Sequence, residues 1–277
     1  MIRAGLVGRD IIASRSPWLH EQEARAQGLE LRYELFDFTA RGLDDAALGD
    51  LLRGLQADGF AGVNITYPFK QAVIPLLDEL AESARLVGAV NTVAMRDGRL
   101  VGHNTDLPGF RDSVVGDLDG AAIGTVLQLG AGGAGAAVAL ALLAAGAESL
   151  AIFDADPDRA QALVAKVRGN GATVPVTALD ALPETGGAFE GIVNATPVGM
   201  AAHPGMPVDR ALIDPDMWVA DIVYFPLETE LLRTARAKGC RTINGSGMVT
   251  RQAALAFEII TGRPAALARM QASFQAE

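Results

Sequence analysis

A short glycine-rich segment constrains the fold of this chain more than any other feature. Residues 130–135 read Gly-Ala-Gly-Gly-Ala-Gly, follow the largely apolar run 126–129, and precede a helix-forming stretch at 136–144. In a G-x-G-x-x-G loop the first glycine permits the tight turn, the second lets the backbone approach a pyrophosphate, and the third lets the helix pack closely on the strand. The pattern therefore predicts a βα unit that binds a dinucleotide, with the phosphates at the helix N-terminus.

The acidic residues after the next predicted strand bear on the choice of dinucleotide. Asp154 lies nineteen residues after Gly135, at the strand end where a carboxylate accepts hydrogen bonds from the adenosine ribose. Asp154 and Asp156 would repel the 2′-phosphate of NADP, so the sequence favours NAD. Arg159 leaves an alternative open, because it either helps to hold a 2′-phosphate or pairs with Asp156.

Apolar runs alternate with helical segments along most of the chain, which is typical of an α/β fold with mostly parallel sheets. The candidate strands fall into two series, which indicates two sheets. The first series comprises 3–7, 32–37, 62–65 and 91–96, and the second comprises 125–129, 149–154, 173–176, 191–195, 218–222 and 241–243.

The two series predict two domains with a break between 106 and 116, where Leu107-Pro108-Gly109 interrupts strand character. The segment 250–274 has helical spacing and is expected to pack back on the first domain. We therefore expect an α/β substrate-binding domain at 1–108, completed by 249–277, and a Rossmann-type dinucleotide-binding domain at 109–248.

Composition excludes several classes of protein. The chain has 33 acidic and 23 basic residues, a net charge of −10 and no Lys/Arg cluster, which disfavours nucleic acid as a partner. Its longest apolar stretch, 134–147, falls short of the ~20 residues that span a bilayer, and the N-terminus reads as a strand rather than a signal peptide. The single Cys240 excludes an internal disulfide and a multi-cysteine metal site. We expect a cytoplasmic monomer or homodimer without a metal and without membrane partners.

Small polar residues are concentrated after the strands of the first series, and such loops converge at the carboxyl ends of strands in an open α/β sheet. The hydroxyls and amides suit a polyhydroxylated ligand. Within this set, Lys70 and Asp106 form the obvious pair for proton chemistry, since a lysine held by a carboxylate can take the proton of a hydroxyl that loses hydride. His103 is a rival base by residue type. Simpler roles also fit single residues: Ser14 and Ser16 as helix caps, or Lys70 as a solvated charge.

Taken together, seven motifs resemble the shikimate dehydrogenase family, including its quinate/shikimate branch, over essentially the whole chain and in the family's order. They are Ser14-x-Ser16-Pro17, Asn64-x-Thr66-x-Pro68-x-Lys70, Gly88-Ala89-Val90-Asn91-Thr92, Gly102-x-Asn104-Thr105-Asp106, the glycine loop 130–135, Asn194-Ala195-Thr196-Pro197-x-Gly199-Met200, and Gly245-x-Gly247-Met248-x-x-x-Gln252.

The resemblance implies reversible NAD(P)-dependent oxidation of a ring hydroxyl of shikimate to 3-dehydroshikimate, and of quinate to 3-dehydroquinate. It implies that Lys70 and Asp106 are the catalytic pair. The further substrate-binding residues that it implies are Ser14, Ser16, Asn64, Thr66, Asn91, Tyr224 and Gln252. On the cofactor side it implies Gly130, Ala131, Gly132, Gly133, Ala134, Thr196, Ile222, Gly245 and Met248, beside Asp154, Asp156 and Arg159.

The chain departs from the family's common pattern after the second strand of the second series. Asp154-Ala155-Asp156 stands where biosynthetic, NADP-using members typically carry Asn-Arg-Thr/Ser, and is similar to NAD-using quinate/shikimate dehydrogenases that often serve catabolism. Whether the protein serves biosynthesis or catabolism therefore stays open. Ser16 favours shikimate over quinate as the substrate, because quinate-using members of the family can carry threonine at this position. Three other functions remain as alternatives: a related enzyme such as a methylenetetrahydrofolate dehydrogenase, an aminoshikimate-type enzyme, and a dinucleotide-binding sensor without catalysis.

Overall fold

The computed structural model describes residues 1–276. Contacts between Cα atoms divide the chain into two compact units, one formed by residues 1–105 together with the C-terminal segment that begins at Thr250, the other by residues 106–249. The domain limits derived from the sequence, 1–108 with 249–277 and 109–248, remain a prediction. Each unit is described by itself below.

Strands occur throughout both units. Within residues 1–276 they are β1 (Ile2–Gly8), β2 (Leu31–Asp37), β3 (Gly62–Ile65), β4 (Glu79–Leu80), β5 (Thr92–Arg96), β6 (Arg99–His103), β7 (Thr125–Leu129), β8 (Ser149–Phe153), β9 (Val176–Ala178), β10 (Gly191–Asn194), β11 (Trp218–Asp221) and β12 (Arg241–Ile243). The α-helices of the same residues are α1 (Ser16–Ala26), α2 (Leu48–Ala57), α3 (Phe69–Ala72), α4 (Glu82–Val87), α5 (Asp106–Leu118), α6 (Gly133–Ala144), α7 (Pro157–Gly169), α8 (Glu230–Ala237), α9 (Ser246–Thr261) and α10 (Leu267–Gln275).

The sheet of the first unit has the strand order β2-β1-β3-β5-β6-β4. Strand β1 pairs in parallel with β2 and β3, whereas β5 runs antiparallel to both β3 and β6. Strands β4 and β6 were not among the predicted strands, so the β5-β6 hairpin was not predicted either. A signal was present: Asp97-Gly98 forms the two-residue turn, with φ of 52° and 72°, and Asp-Gly favours the turn type that needs positive φ at both positions.

The sheet of the second unit has the order β12-β11-β10-β7-β8-β9, and its strand pairs are all parallel. The predicted α/β architecture with two sheets is confirmed. One strand of this series was placed wrongly, because β9 covers Val176–Ala178 rather than 173–176. Pro175 explains the shift: it has no N–H for the ladder, and only its carbonyl takes part, accepting from Leu150 N–H at 2.9 Å.

The C-terminal segment packs on the first unit, as expected, and forms two helices. Helix α9 ends at Thr261, where Gly262 has a φ of +72°, and Pro264 prevents the helix from continuing. Helix α10 then packs against α1. Glu23 of α1, whose side chain is fully buried, accepts hydrogen bonds from Ala266 N–H at 2.9 Å and from Arg269 Nε at 2.6 Å.

Each unit has an apolar core formed by buried residues on neighbouring strands of its sheet. In the first unit Val7, Val63 and Val93 are fully buried on three neighbouring strands. In the second, Leu127, Ile192 and Val219 do the same. Among residues 1–276, no helix combines the length and the apolar character needed to cross a membrane.

Candidate active site

The serine loop follows β1 and leads into α1. Ser14 Oγ donates to Ser16 Oγ at 3.1 Å, and Ser16 N–H donates to Ser14 Oγ at 3.3 Å. Arg15 occupies the N-cap position of α1 in a helical conformation, and no side chain caps the helix. Ser14 Oγ thus accepts from the first N–H of α1, although the N-cap residue makes no capping bond. The loop presents two adjacent hydroxyls.

The segment after β3 carries the predicted lysine. Asn64 lies within β3, and Thr66 follows it directly, donating its N–H to Val7 O at 3.0 Å. The peptide bond between Tyr67 and Pro68 is cis, and Lys70 then lies on the single turn α3. The Lys70 carbonyl accepts from Val90 N–H at 2.7 Å. This bond holds the turn next to Asn91, which is predicted to bind the substrate.

Asn91 is the hub of the first unit's polar residues, and it is buried. Its Oδ1 accepts from Thr105 N–H at 2.9 Å, and its Nδ2 donates to Thr105 Oγ1 at 2.8 Å and to Gln252 Oε1 at 3.1 Å. Asp106 follows Thr105 in the chain, begins α5 and is 1% exposed. Asn91 therefore connects Gln252 of α9 with Thr105 within the first unit.

Three residues that the sequence analysis did not assign to the site connect the predicted ones. The Tyr33 hydroxyl donates to Asn64 Oδ1 at 2.7 Å and also hydrogen-bonds to the Ser16 side chain. Asn64 Nδ2 donates to Thr92 Oγ1 at 3.0 Å, and Thr92 Oγ1 donates to Asn91 Oδ1 at 3.2 Å. Thr105 provides the third connection through its bonds to Asn91. One hydrogen-bonded network thus joins the serine loop to Gln252.

His103, the rival base, ends β6 and is half-buried. Burial lowers its pKa below the usual value, Arg96 lowers it further, and Glu79 acts in the opposite direction. The His103 carbonyl accepts from Asn91 N–H at 3.0 Å. This contact to the network is made by the backbone and not by the imidazole.

The glycine loop of the second unit has the close contacts that its spacing predicts. Gly130 has a φ of +97°, and its N–H donates to Phe153 O at 2.8 Å. A Cβ on Gly135 would lie 2.4 Å from Gly130 O, whereas a Cβ on Gly132 or Gly133 would meet nothing within 4 Å. The first and third positions therefore need glycine for the protein's own packing, and the middle of the loop faces open space.

Gln128, the single buried polar residue of β7, holds this loop and was not singled out from the sequence. Its side chain is fully buried, and Nε2 donates to Gly130 O at 2.8 Å and to Gly135 O at 2.9 Å. These two bonds close the turn between strand and helix. A glutamine among the apolar residues of the run 126–129 was the signal for it.

Asp154 lies directly after β8, at the edge of the glycine loop. One carboxylate oxygen accepts from Ala131 N–H at 2.7 Å and the other from Asp156 N–H at 2.9 Å. Asp156 caps α7 by accepting from Asp158 N–H at 3.1 Å, and Arg159 Nε lies 3.3 Å from its Oδ2. Of the two roles left open for Arg159, the structure shows the pairing with Asp156. Both side chains are exposed, so this ion pair is weak.

A buried polar cluster lies at the ends of β10 and β11. Thr196 donates its N–H and its hydroxyl to Asn194 Oδ1 at 3.0 and 2.6 Å, and Asn194 Nδ2 donates to Asp221 Oδ1 at 3.0 Å. Asp221 also accepts from Thr229 Oγ1 at 2.7 Å and from Val223 N–H at 3.0 Å. Burial raises the pKa of Asp221 to about 6, although its three hydrogen bonds act against that rise.

The remaining predicted residues of the second unit lie on neighbouring loops. A Cβ on Gly245 would lie 2.6 Å from Ile222 O, so these two loops approach each other closely enough to require glycine. Met248 is buried on α9, and Tyr224, after β11, is about half exposed. Among residues 1–276, no group of three or more His, Cys, Asp or Glu side chains is arranged to hold a metal ion.

Comparisons with known proteins show which family and which relatives this chain is similar to. A family model described as the shikimate dehydrogenase substrate binding domain matches residues 6–93. A shikimate dehydrogenase (NADP(+)) from Streptomyces avermitilis is 51% identical over 97% of this chain and 93% of its own length. A quinate/shikimate dehydrogenase (NAD(+)) from Corynebacterium efficiens is 46% identical over 99% of this chain and 97% of its own length.

The solved structure of quinate dehydrogenase from Corynebacterium glutamicum in complex with NAD is similar to this chain, with a TM-score of 0.93 and 43% identity. The likeness covers 100% of this chain and 99% of that one. The relatives thus include proteins named for NAD and for NADP, and proteins named for shikimate and for quinate.

Proposed function

This chain belongs to the shikimate dehydrogenase family, and from that premise we propose that it oxidises a ring hydroxyl of shikimate reversibly, with NAD as the preferred cofactor, and accepts quinate as a further substrate. The observation that carries the proposal is the hydrogen-bonded network of the first unit. It joins five residues that the family resemblance implied from separate motifs. They are Ser14, Ser16, Asn64, Asn91 and Gln252.

The second unit fits a nicotinamide dinucleotide. Gly132 and Gly133 leave open space where a Cβ would stand, and Gly132 is the N-cap residue of α6, where no side chain caps the helix. Backbone N–H groups at a helix N-terminus bind phosphate, so this loop would hold the pyrophosphate. Thr196, Ile222, Gly245 and Met248 would line the other end of the cofactor. When bound, NAD supplies the acceptor for the hydride.

Asp154 supports the preference for NAD. Its two carboxylate oxygens lie within hydrogen-bond distance of the N–H groups of Ala131 and Asp156, which places a negative charge beside the glycine loop. A ribose diol can donate to such a carboxylate, whereas the 2′-phosphate of NADP is repelled by it. Arg159 is paired with Asp156, so its charge is partly neutralised.

The side chains implied by the family resemblance would bind and deprotonate the substrate. The Ser14 and Ser16 hydroxyls, which hydrogen-bond to each other and, through Ser16, to Tyr33, would turn their hydrogens to the carboxylate when the substrate binds. Asn64, Thr66, Asn91 and Gln252 would bind the ring hydroxyls, and the resemblance adds Tyr224 to this set. Lys70 Nζ, in its neutral form, would take the proton from the reacting hydroxyl as the carbon loses hydride. Asp106 would stabilise the positive charge that Lys70 gains, so that the proton and the electron pair both leave the substrate.

Initial rates of NADH or NADPH formation test the proposal directly, with shikimate or quinate combined with NAD or NADP. We expect turnover of shikimate with NAD at a kcat/KM at least about 10-fold above that with NADP, the factor that one charge repulsion of ~1.4 kcal/mol gives. Asp154→Asn should reduce this ratio, whereas Asp158→Asn, an exposed residue in the first turn of α7, should leave it unchanged. A preference for NADP in the unchanged protein would overturn the role of Asp154.

The alternatives would show up in the same assay. Binding of NAD without hydride transfer to any of these substrates would favour a sensor. Turnover of a folate or of an aminoshikimate, but not of shikimate or quinate, would favour the other two enzymes.

A further inference from the structure

Tyr33 lies at the centre of the predicted substrate residues, although no motif includes it. It is buried on β2, and its hydroxyl donates to Asn64 Oδ1 at 2.7 Å. The same oxygen hydrogen-bonds to Ser16. A phenol has one hydrogen to donate, and because that hydrogen goes to Asn64, Ser16 is the donor in the second bond.

The hydrogen bond from Tyr33 and the two bonds that Asn64 donates together fix the orientation of the Asn64 amide. Asn64 Nδ2 uses its two hydrogens on Asn91 O at 3.2 Å and on Thr92 Oγ1 at 3.0 Å. A flip of the amide would turn Oδ1 towards the Asn91 carbonyl, which is an acceptor and has no hydrogen to offer. In the observed orientation, the second lone pair of Oδ1 remains for a ligand, so Asn64 accepts a hydrogen bond from a hydroxyl rather than donating one.

The packing around Tyr33 keeps its hydroxyl in place. The His20 ring stacks on the Tyr33 ring at 4.7 Å between centroids, and Phe257 lies at 6.1 Å on His20. Burial raises the pKa of Tyr33 well above its usual value, so the phenol stays protonated and continues to donate. A rigid ring with a single fixed donor is suited to orienting a neighbouring amide.

We propose that Tyr33 is a positioning residue for substrate recognition, which orients Asn64 as an acceptor for a ring hydroxyl; this inference rests on the function proposed above. Tyr33 is not expected to touch the substrate, because its hydroxyl is already engaged with Asn64 and Ser16. Its effect on the ring hydroxyl passes through Asn64. The serine loop depends less on Tyr33, since Ser14 also holds Ser16 at 3.1 Å.

Tyr33→Phe keeps the ring and removes the hydroxyl, so it isolates this effect. We expect the KM for shikimate to rise about 5- to 10-fold, the factor that one net hydrogen bond gives, with kcat changed less than about 2-fold and the KM for NAD unchanged. Cyclohex-1-ene-1-carboxylate, which has the carboxylate but no ring hydroxyls, should keep its inhibition constant within about 2-fold. A general structural role would weaken both ligands equally.

Thr261→Val is the matched control, because it also removes one hydroxyl that hydrogen-bonds within the first unit, to Phe257 O at 2.7 Å. It should lower Tm without changing the KM for shikimate. Circular dichroism and thermal unfolding establish that each variant is folded. An equal rise of the shikimate KM in Thr261→Val would overturn the positioning role.

A double-mutant cycle with Asn64→Ala separates this inference from the function on which it rests. If Tyr33 acts through Asn64, the double variant should have the same KM for shikimate as Asn64→Ala alone. If the double variant raised the KM for shikimate by the product of the two single effects, the inference would be overturned and the proposed function would stand. An unchanged KM in Tyr33→Phe would have the same consequence. An unchanged KM in Asn64→Ala would instead contradict the substrate site itself.

Discussion

The two units build their predicted sites from different parts of the chain. The first unit uses side chains, and its network runs from Ser14 through Tyr33, Asn64 and Asn91 to Gln252. The second uses the backbone of one continuous loop, 130–135, closed by Gln128. The side-chain network can distinguish the pattern of hydroxyls on a ring, whereas the backbone loop binds a phosphate group that every dinucleotide carries.

This difference has a consequence for mutation. A change in the first unit's network should affect the chemistry or the binding of the ring substrate and leave the dinucleotide bound. A change in the glycine loop should do the opposite. Variants in each unit can therefore test whether the two sites are as separable as their construction implies.

The largest effect is expected for Lys70→Ala. Loss of the residue that takes the hydroxyl proton should reduce kcat about 1,000-fold, the middle of the range for general base catalysis, while the Kd for NAD stays the same. Steady-state rates and calorimetric titration with NAD measure the two quantities. Lys166→Ala, on α7 of the second unit, is the control and should retain full activity. A Lys70→Ala protein that is folded and fully active would contradict the assignment of the base.

The converse variant is Gly132→Ala. A Cβ there meets nothing in the protein within 4 Å, so Tm should stay unchanged, but the methyl group would stand where the pyrophosphate approaches. We expect the Kd for NAD to rise about 10- to 100-fold, or ~1.4 to 2.7 kcal/mol. Gly169→Ala, in the same unit and equally open, is the matched control. If both variants bound NAD normally, the glycine loop would not be the phosphate site.

The smallest effect is in the pH dependence of stability, where each unit contributes one buried group. Burial lowers the pKa of His20 to about 4 and raises that of Asp221 to about 6. For His20 the unfolded chain binds the proton more tightly, so stability is lost as pH falls from about 6.5 to 4. For Asp221 the folded protein binds the proton more tightly, so stability is lost as pH rises from about 4 to 6.

Between pH 4 and 6 each group should change the free energy of unfolding by about 2 kcal/mol, in opposite directions. Urea unfolding across this range measures the slope. In His20→Phe only the Asp221 contribution remains, so stability should fall more steeply with rising pH. In Asp221→Asn only the His20 contribution remains, so stability should increase with rising pH. If neither variant changed the slope, the two groups would have the same pKa in the folded and unfolded chain.

Much of the fold could be predicted because its signals are local. Strand β7, the glycine loop and helix α6 are contiguous, and each residue's role follows from its neighbours in sequence. The β5-β6 hairpin was missed although Asp97-Gly98 indicated it. The break between α9 and α10 has a local signal too, Gly262 and Pro264.

The site was less predictable from the residues alone. Ser14, Asn64 and Gln252 each fit an ordinary structural role when taken singly, and the resemblance to a family was needed to group them. Tyr33 reads as a core aromatic residue, because alternation along β2 predicts burial but not a partner for the hydroxyl. The properties of Asp221 were also hidden in the sequence. Its position predicts a strand end, whereas its raised pKa comes from burial in the folded protein.

The sequence by itself determined the two α/β units, the dinucleotide loop and the acidic residue beside it, because these depend on patterns within about 30 consecutive residues. Only the tertiary structure decided which polar side chains touch. Glu23 meets Arg269 across 246 positions, and Asn91 meets Gln252 across 161. Such contacts depend on how the sheet and the C-terminal helices pack, and no local pattern encodes them.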